Sequence, residues 1–307
     1  MSAGVGSSAT RRGAGAALRA ALLASSALAI AALPARAQTA QNWTGNTSTD
    51  WFIVGNWDTN TVPAAGDSAT LSTVTPNSTV VDGAGGGAPT IDLSGLNVGF
   101  TGPGSLTINN GATFNVNTGD AVIGGDLSGV LGSNNNTGAV VVDGSTFTVT
   151  GSPPTTGKLV VGGSGTGSFT VQNGATVSTA DSYVGFGPGS SGTVTITGAT
   201  STWTNSGDNT VGNFGTGIFS VDRGGTVNVT GNTFVGANPT GNGTINISRA
   251  GSSWTTTGVT ILGGGLSFGV GGSGTINVSN GGAYNANADM YIALSVPAPS
   301  TCRAAAY

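Results

Sequence analysis

Twelve aspartates supply every acidic side chain of this 307-residue sequence, which has no histidine, no glutamate and a single cysteine, Cys302. Without imidazole there is no Ser-His-Asp triad, no Cys-His pair and no zinc site built on histidine. What acid–base chemistry remains recurs in one place. Asp120, Lys158, Asp181, Asp208, Asn232 and Asp289 each stand three residues before a Val- or Ile-ended strand signal: Ile123-Gly124, Val161-Gly162, Val184-Gly185, Val211-Gly212, Val235-Gly236 and Ile292-Ala293. If those signals are one structural repeat, Asp181 and Asp208 lie on adjacent layers about 5 Å apart, where like charges repel. Three uses compete: an Asx ladder that caps a corner, with Lys158 relieving Asp120 and Asp181; a calcium-stabilised or acid-sensitive edge; and a carboxylate pair for glycoside hydrolysis, which needs a separation of about 5–9.5 Å. Lys158, Arg223 and Arg249 occupy different columns, which leaves a lyase without a placed base. The ladder is the expectation carried forward, with no catalytic residue, no cofactor and no metal beyond Asp181 and Asp208 as calcium candidates.

Other chemical spellings carry less. Gly187-Pro-Gly189-Ser-Ser-Gly192 fits G-x-G-x-x-G, but with 56 glycines in the chain such matches arise by chance, and no helix follows to hold a pyrophosphate. Gly265-Leu-Ser267-Phe-Gly269 has nucleophile-elbow spacing without a histidine base. Trp43, Trp51 and Trp57 cluster near the start; they read as a cap, or as a sugar-stacking and adhesion surface.

The elements that position these residues are short strands. From residue 104 the alternations Leu106/Ile108, Val140/Val142, Phe169/Val171, Val194/Ile196, Phe219/Val221, Ile245/Ile247 and Ile276/Val278 recur, each with the period of two of a strand. A turn follows every time, for example Asn110-Gly111, Asn173-Gly174 or Asn280-Gly281, where glycine takes positive φ without strain. A large apolar residue then returns (Phe114, Phe147, Val177, Trp203, Val227, Trp254, Tyr284), and the Val/Ile-Gly strand closes the unit. About seven units of three strands over 104–295 mean an all-β solenoid, a parallel β-helix whose units bury their apolar columns only by stacking. Residues 38–103 are the N-terminal cap, with early coils at Val80-Val81 and Ile91–Val98. The longer units place loops at Leu131–Thr137 and Gly263–Gly272. Residues 296–307 break the pattern and read as a truncation or frame artefact.

Charge and leader set the destination. Arg11, Arg12 and Arg19 precede the apolar run Ala20–Leu33, and Ala35-Arg36-Ala37 supplies a small-x-small cleavage pattern before Gln38. Residues 1–37 therefore read as a secretory signal for the Sec machinery. Beyond it, Lys158, Arg223, Arg249 and Arg303 face all twelve aspartates, so there is no basic footprint for nucleic acid.

Thr193-Val-Thr-Ile-Thr-Gly-Ala-Thr-Ser-Thr-Trp203-Thr-Asn-Ser-Gly with Val211-Gly212-Asn-Phe-Gly-Thr-Gly, repeated at Ser252-Ser253-Trp254-Thr, resembles the passenger repeats of type V secretion autotransporters and the related repeat of proteins with PEP-type sorting signals. Trp43-Thr-Gly, Asp50-Trp51 and Asn56-Trp57-Asp58 resemble the start of such passengers. The resemblance spans Asn42–Ser295. It implies a right-handed β-helix, a non-catalytic role at the outer membrane or cell surface in adhesion or self-association, host or matrix glycans or the chain itself as partners, and an outer-membrane β-barrel translocator. The repeat pattern runs to Ser295 without barrel strands, so the expectation is a passenger region or a secreted chain. A secreted structural or matrix protein is the alternative, and a β-helix polysaccharide-degrading enzyme a more distant one. Amino-terminal sequencing of the exported chain should begin at Gln38; a chain that keeps Met1–Ala37 after export contradicts the signal reading.

Overall fold

The computed structural model describes residues 38–84, 87–127, 136–152, 155–264 and 271–292, with the short strand Ala304–Ala305. The signal segment, Gly265–Gly269, Cys302 and most of the two loops expected over 131–137 and 263–272 fall outside the described residues. So does the rest of the tail, in which Ala304–Ala305 pairs with Ile276-Asn277, a short strand that the off-pattern reading of 296–307 did not anticipate.

Two facts of the repeat dictate the architecture. Alternating side chains give each strand one apolar face, and glycine at the corners lets the chain turn within a few residues. One coil is shown by Thr166–Gln172, Thr176–Thr179 and Asp181–Val184. The next is Ser191–Thr197, Thr202–Asn205 and Asn209–Val211. The chain thus visits a long-strand sheet, a middle sheet and a short-strand sheet in turn, and these sheets hold nine, eight and ten strands among the described residues. Every neighbouring pair within them is parallel, the arrangement of a parallel β-helix. Eight strands in the middle sheet at about 4.8 Å apart span roughly 34 Å.

The inter-coil register follows the repeat alignment read from the sequence. Ile108 pairs with Val142, Val142 with Val171, Val171 with Ile196, Ile196 with Val221, Val221 with Ile247 and Ile247 with Val278. The early coils are present too: Thr79–Asp82, Thr90–Leu93 and Gly95–Val98 form a complete coil inside the opener. One insertion departs from the pattern, an antiparallel pairing of Gly151-Ser152 with Thr155-Thr156.

Two glycine columns make the corner between the short-strand and long-strand sheets. Gly185 has φ of +75°, a left-handed conformation that opens the turn. Seven positions on, a Cβ at Gly192 would sit 2.1 Å from the Val161 carbonyl oxygen and 2.6 Å from the Gly185 nitrogen. Backbone occupies the space of a side chain, so this corner admits only glycine.

Inside, a continuous file of rings runs along the axis, from Trp51 through Phe114, Phe147, Phe169, Trp203, Phe219 and Trp254 to Tyr284, with centroids 4.7–6.4 Å apart. Each of these coils contributes one ring. Where the long strand supplies Phe169 or Phe219, the facing middle strand supplies Val177 or Val227; where the middle strand supplies Trp203 or Trp254, the long strand supplies Val194 or Ile245. A narrow cross-section has room for one ring and one aliphatic side chain, and close packing enforces the exchange.

Gly192→Ala should destabilise the chain by roughly 1–3 kcal/mol or more, because it forces backbone apart. Gly87→Ala, where nothing lies within 4 Å, should change stability by less than about 0.5 kcal/mol. Urea melts of the two variants test the corner; equal stabilities contradict it.

Candidate functional site

The aspartate column lies along one edge of the short-strand sheet, at the corner where the middle sheet hands over to it. Asp120 Oδ1 accepts the Lys158 backbone N–H at 2.8 Å. Asp181 Oδ1 accepts the N–H of Asp208 at 3.0 Å, and Asp208 Oδ1 accepts the N–H of Asn232 at 2.7 Å and its side-chain amide at 3.0 Å. Asn232 continues the series with an amide oxygen, 3.1 Å from the Val259 nitrogen. Each side chain therefore caps a backbone donor one coil further on, at the place where strands end and N–H groups lack a ladder partner. This is the geometry of the Asx ladder expected from the spacing. Lys158 pairs in register with Asp181 and follows Asp120, between the two carboxylates it was expected to relieve.

Tyr183 lies on the outer face beside the ladder. Burial first, and then the charges of Asp181, Asp208 and Asp120, push its phenol above the usual tyrosine range, so it stays a neutral donor through the physiological range. Its ring meets Phe186 edge-on at 5.3 Å. The same outward column is apolar and shielded at Val160, Phe234 and Ile261, a feature hidden in sequence because the short strands are too brief to show two-sided burial. Among the described residues no group of three or more metal-ligating side chains converges.

The three tryptophans occupy a different place from the one a sugar-stacking surface needs. Trp43, Trp51 and Trp57 are 3%, 0% and 2% exposed. Their rings meet edge-to-face at 5.2 Å (Trp43–Trp57) and 4.7 Å (Trp51–Trp57), and Trp51 abuts Phe114 at 5.4 Å. Trp43 and Trp57 spend their indole N–H groups on the Asn77 and Trp51 carbonyls. Buried rings cannot stack on a glycan. The reading of Trp43, Trp51 and Trp57 as ligand-binding residues is corrected to the cap, where they cover the first coils and complete the ring file.

Gly187–Gly192 is a corner turn in which Ser190 Oγ donates to the Gly187 carbonyl at 2.7 Å, with no helix behind it. Arg223 and Arg249 both approach Asp222, at 3.6 and 3.4 Å, as an exposed ionic cluster at the end of the long strands and away from the aspartate column.

A further column repeats outside the aspartate ladder. The residue before each returning apolar side chain is Thr113, Thr146, Thr176, Thr202, Thr226 and then Ser253, and these stack in register on the outer face of the middle sheet. Its sequence signal is the repeated Thr-(Phe/Val/Trp) pair.

Asp208→Ala should cost about 1–3 kcal/mol by orphaning the Asn232 N–H. Asp208→Asn keeps the acceptor and should lie close to the parent, since Asn232 already performs this role with an amide. The melting temperature should not move with calcium or chelator. A large calcium shift that Asp208→Asn removes contradicts the capping account. Compared with models of protein families, with curated proteins and with solved structures, the chain matches none.

Proposed function

We propose that this chain is an exported, non-catalytic solenoid of the autotransporter-passenger kind, which projects from the outer membrane or cell surface and works by adhesion or self-association. The observation that carries the reading is the use the coils make of their polar groups. The aspartates that could have served chemistry cap the backbone of the next coil, while the outward faces are given over to stacked threonine, serine and asparagine. Such a rod offers extended area rather than a pocket. It also suits passage as an unfolded chain, because coils assemble from neighbours without disulfides and the low charge, eight basic against twelve acidic residues, leaves little to desolvate on folding. The Sec machinery, a β-barrel translocator, and glycans or further copies of the chain are the partners this reading requires.

The test is expression of the whole chain joined to an outer-membrane β-barrel translocator in a Gram-negative host, with and without residues 1–37, followed by surface protease shaving and a cell-settling assay. The proposal expects signal-dependent export and faster settling of exporting cells. Export into the medium without cell association favours a matrix role instead. Retention in the cytoplasm of the chain that carries residues 1–37 overturns the reading.

A further inference from the structure

We propose that the outer face of the middle sheet binds an ordered lattice of water, the surface of ice. The face presents two files of side chains. The first holds Thr90, Thr113, Thr146, Thr176, Thr202 and Thr226, each paired in register with the next. The second, two residues further along each strand, is mixed: Thr148, Ser178, Thr204 and Thr255 share it with Asp92, Asn115, Asn228 and Asn285. Strand geometry sets the repeat at about 4.8 Å along the axis and about 6.6 Å across it. The result is one file of threonine hydroxyl and methyl groups beside a mixed polar file, with two fixed periods.

Four properties select the partner. Threonine is stiff at χ1, and its backbone is held on both sides by ladder hydrogen bonds, so the grid is ordered before it meets anything and loses little entropy on binding. The grid carries no charge from Asn115 to Asn285, and Asp92 stands alone on the first coil. An uncharged lattice is matched by an uncharged face, whereas ions would hold a hydration shell of their own geometry. No aromatic side chain projects from this face among the described residues, so it lacks the platforms on which sugar rings stack. Finally, eight strands of four residues cover roughly 500 Å², short of the ~800 Å² per partner of a stable protein interface. A second copy would gain little from it, while a crystal surface engages every row at once. Threonine methyl groups repeated at the strand spacing order the water between them, and the hydroxyls hydrogen-bond into it. The Thr202 hydroxyl donates directly to the Thr176 hydroxyl in the neighbouring row at 3.5 Å, which links adjacent rows side chain to side chain.

This inference deepens the adhesion reading by naming one face and one partner, but it does not depend on export. The test is the purified full chain observed on a growing ice crystal in a nanolitre osmometer, with recrystallisation inhibition as a second readout. The parent should shape ice and hold a gap between melting and freezing points. Thr176→Tyr/Thr202→Tyr, which breaks the plane while leaving the inward side chains alone, should lose both effects. Asn246→Tyr, outward on the long-strand sheet, should keep them, and circular dichroism should show all three folded. No ice shaping by the parent, equal activity of the double variant, or binding to cellulose or chitin in place of ice overturns the proposal. Cell settling that persists while ice shaping is absent leaves the adhesion reading standing and removes this one.

Discussion

Everything in this molecule depends on each position meeting its own counterpart in the next coil. Parallel strands at about 4.8 Å satisfy the backbone of one coil with that of its neighbour, and no single coil could bury its few inward side chains alone. That constraint explains features that otherwise look unrelated. The corner glycines exist because carbonyls of the preceding coil fill the space of a Cβ, as the Val161 oxygen does at Gly192. The aspartates sit where strands end because a side chain must accept the N–H that the ladder leaves unpaired, as Asp208 does for Asn232. From Phe147 to Trp254 the rings alternate between facing strands, because a cross-section that admits Phe219 has room opposite only for Val227.

Stacking also accounts for what was legible in the sequence. Copy-on-copy pairing forces the period of the structure onto the order of residue types, so the alignment of Val142, Val171, Ile196 and Val221 read from spacing is the register of the sheets. The Asx ladder was legible for the same reason, since a cap is needed once per coil at a constant offset. Less legible were features that occur once. The burial of Trp43, Trp51 and Trp57 depends on how the opener folds over the first coils, a long-range contact with no period. The Gly151–Thr156 pairing is likewise a local insertion.

The division of labour between inside and outside bears on function. Buried polar groups serve the core: Trp203 donates its indole N–H to Thr179 at 3.2 Å, and Trp254 donates to Thr256 at 3.0 Å. Unpaired, such groups would each cost on the order of 1–3 kcal/mol. Outward side chains also link neighbouring coils, as Asn115 does to Asp92 and Asn277 to Asn246, and the regularity that stacking gives these faces is one that a surface-binding role can exploit. A rod built this way gains binding area by adding coils without changing its chemistry, which suits engagement of extended surfaces better than recognition of a small molecule.

The central claim is that coils are interchangeable layers held by their nearest neighbours. Deletion of residues 191–241 tests it most directly, because it removes two coils and brings Phe169 and Val177 under Ile245 and Trp254 in the arrangement they now share with Val194 and Trp203. The shortened chain is expected to keep its β-sheet circular dichroism and melt in one cooperative transition. A chain that loses its fold, or melts without cooperativity, would contradict the account.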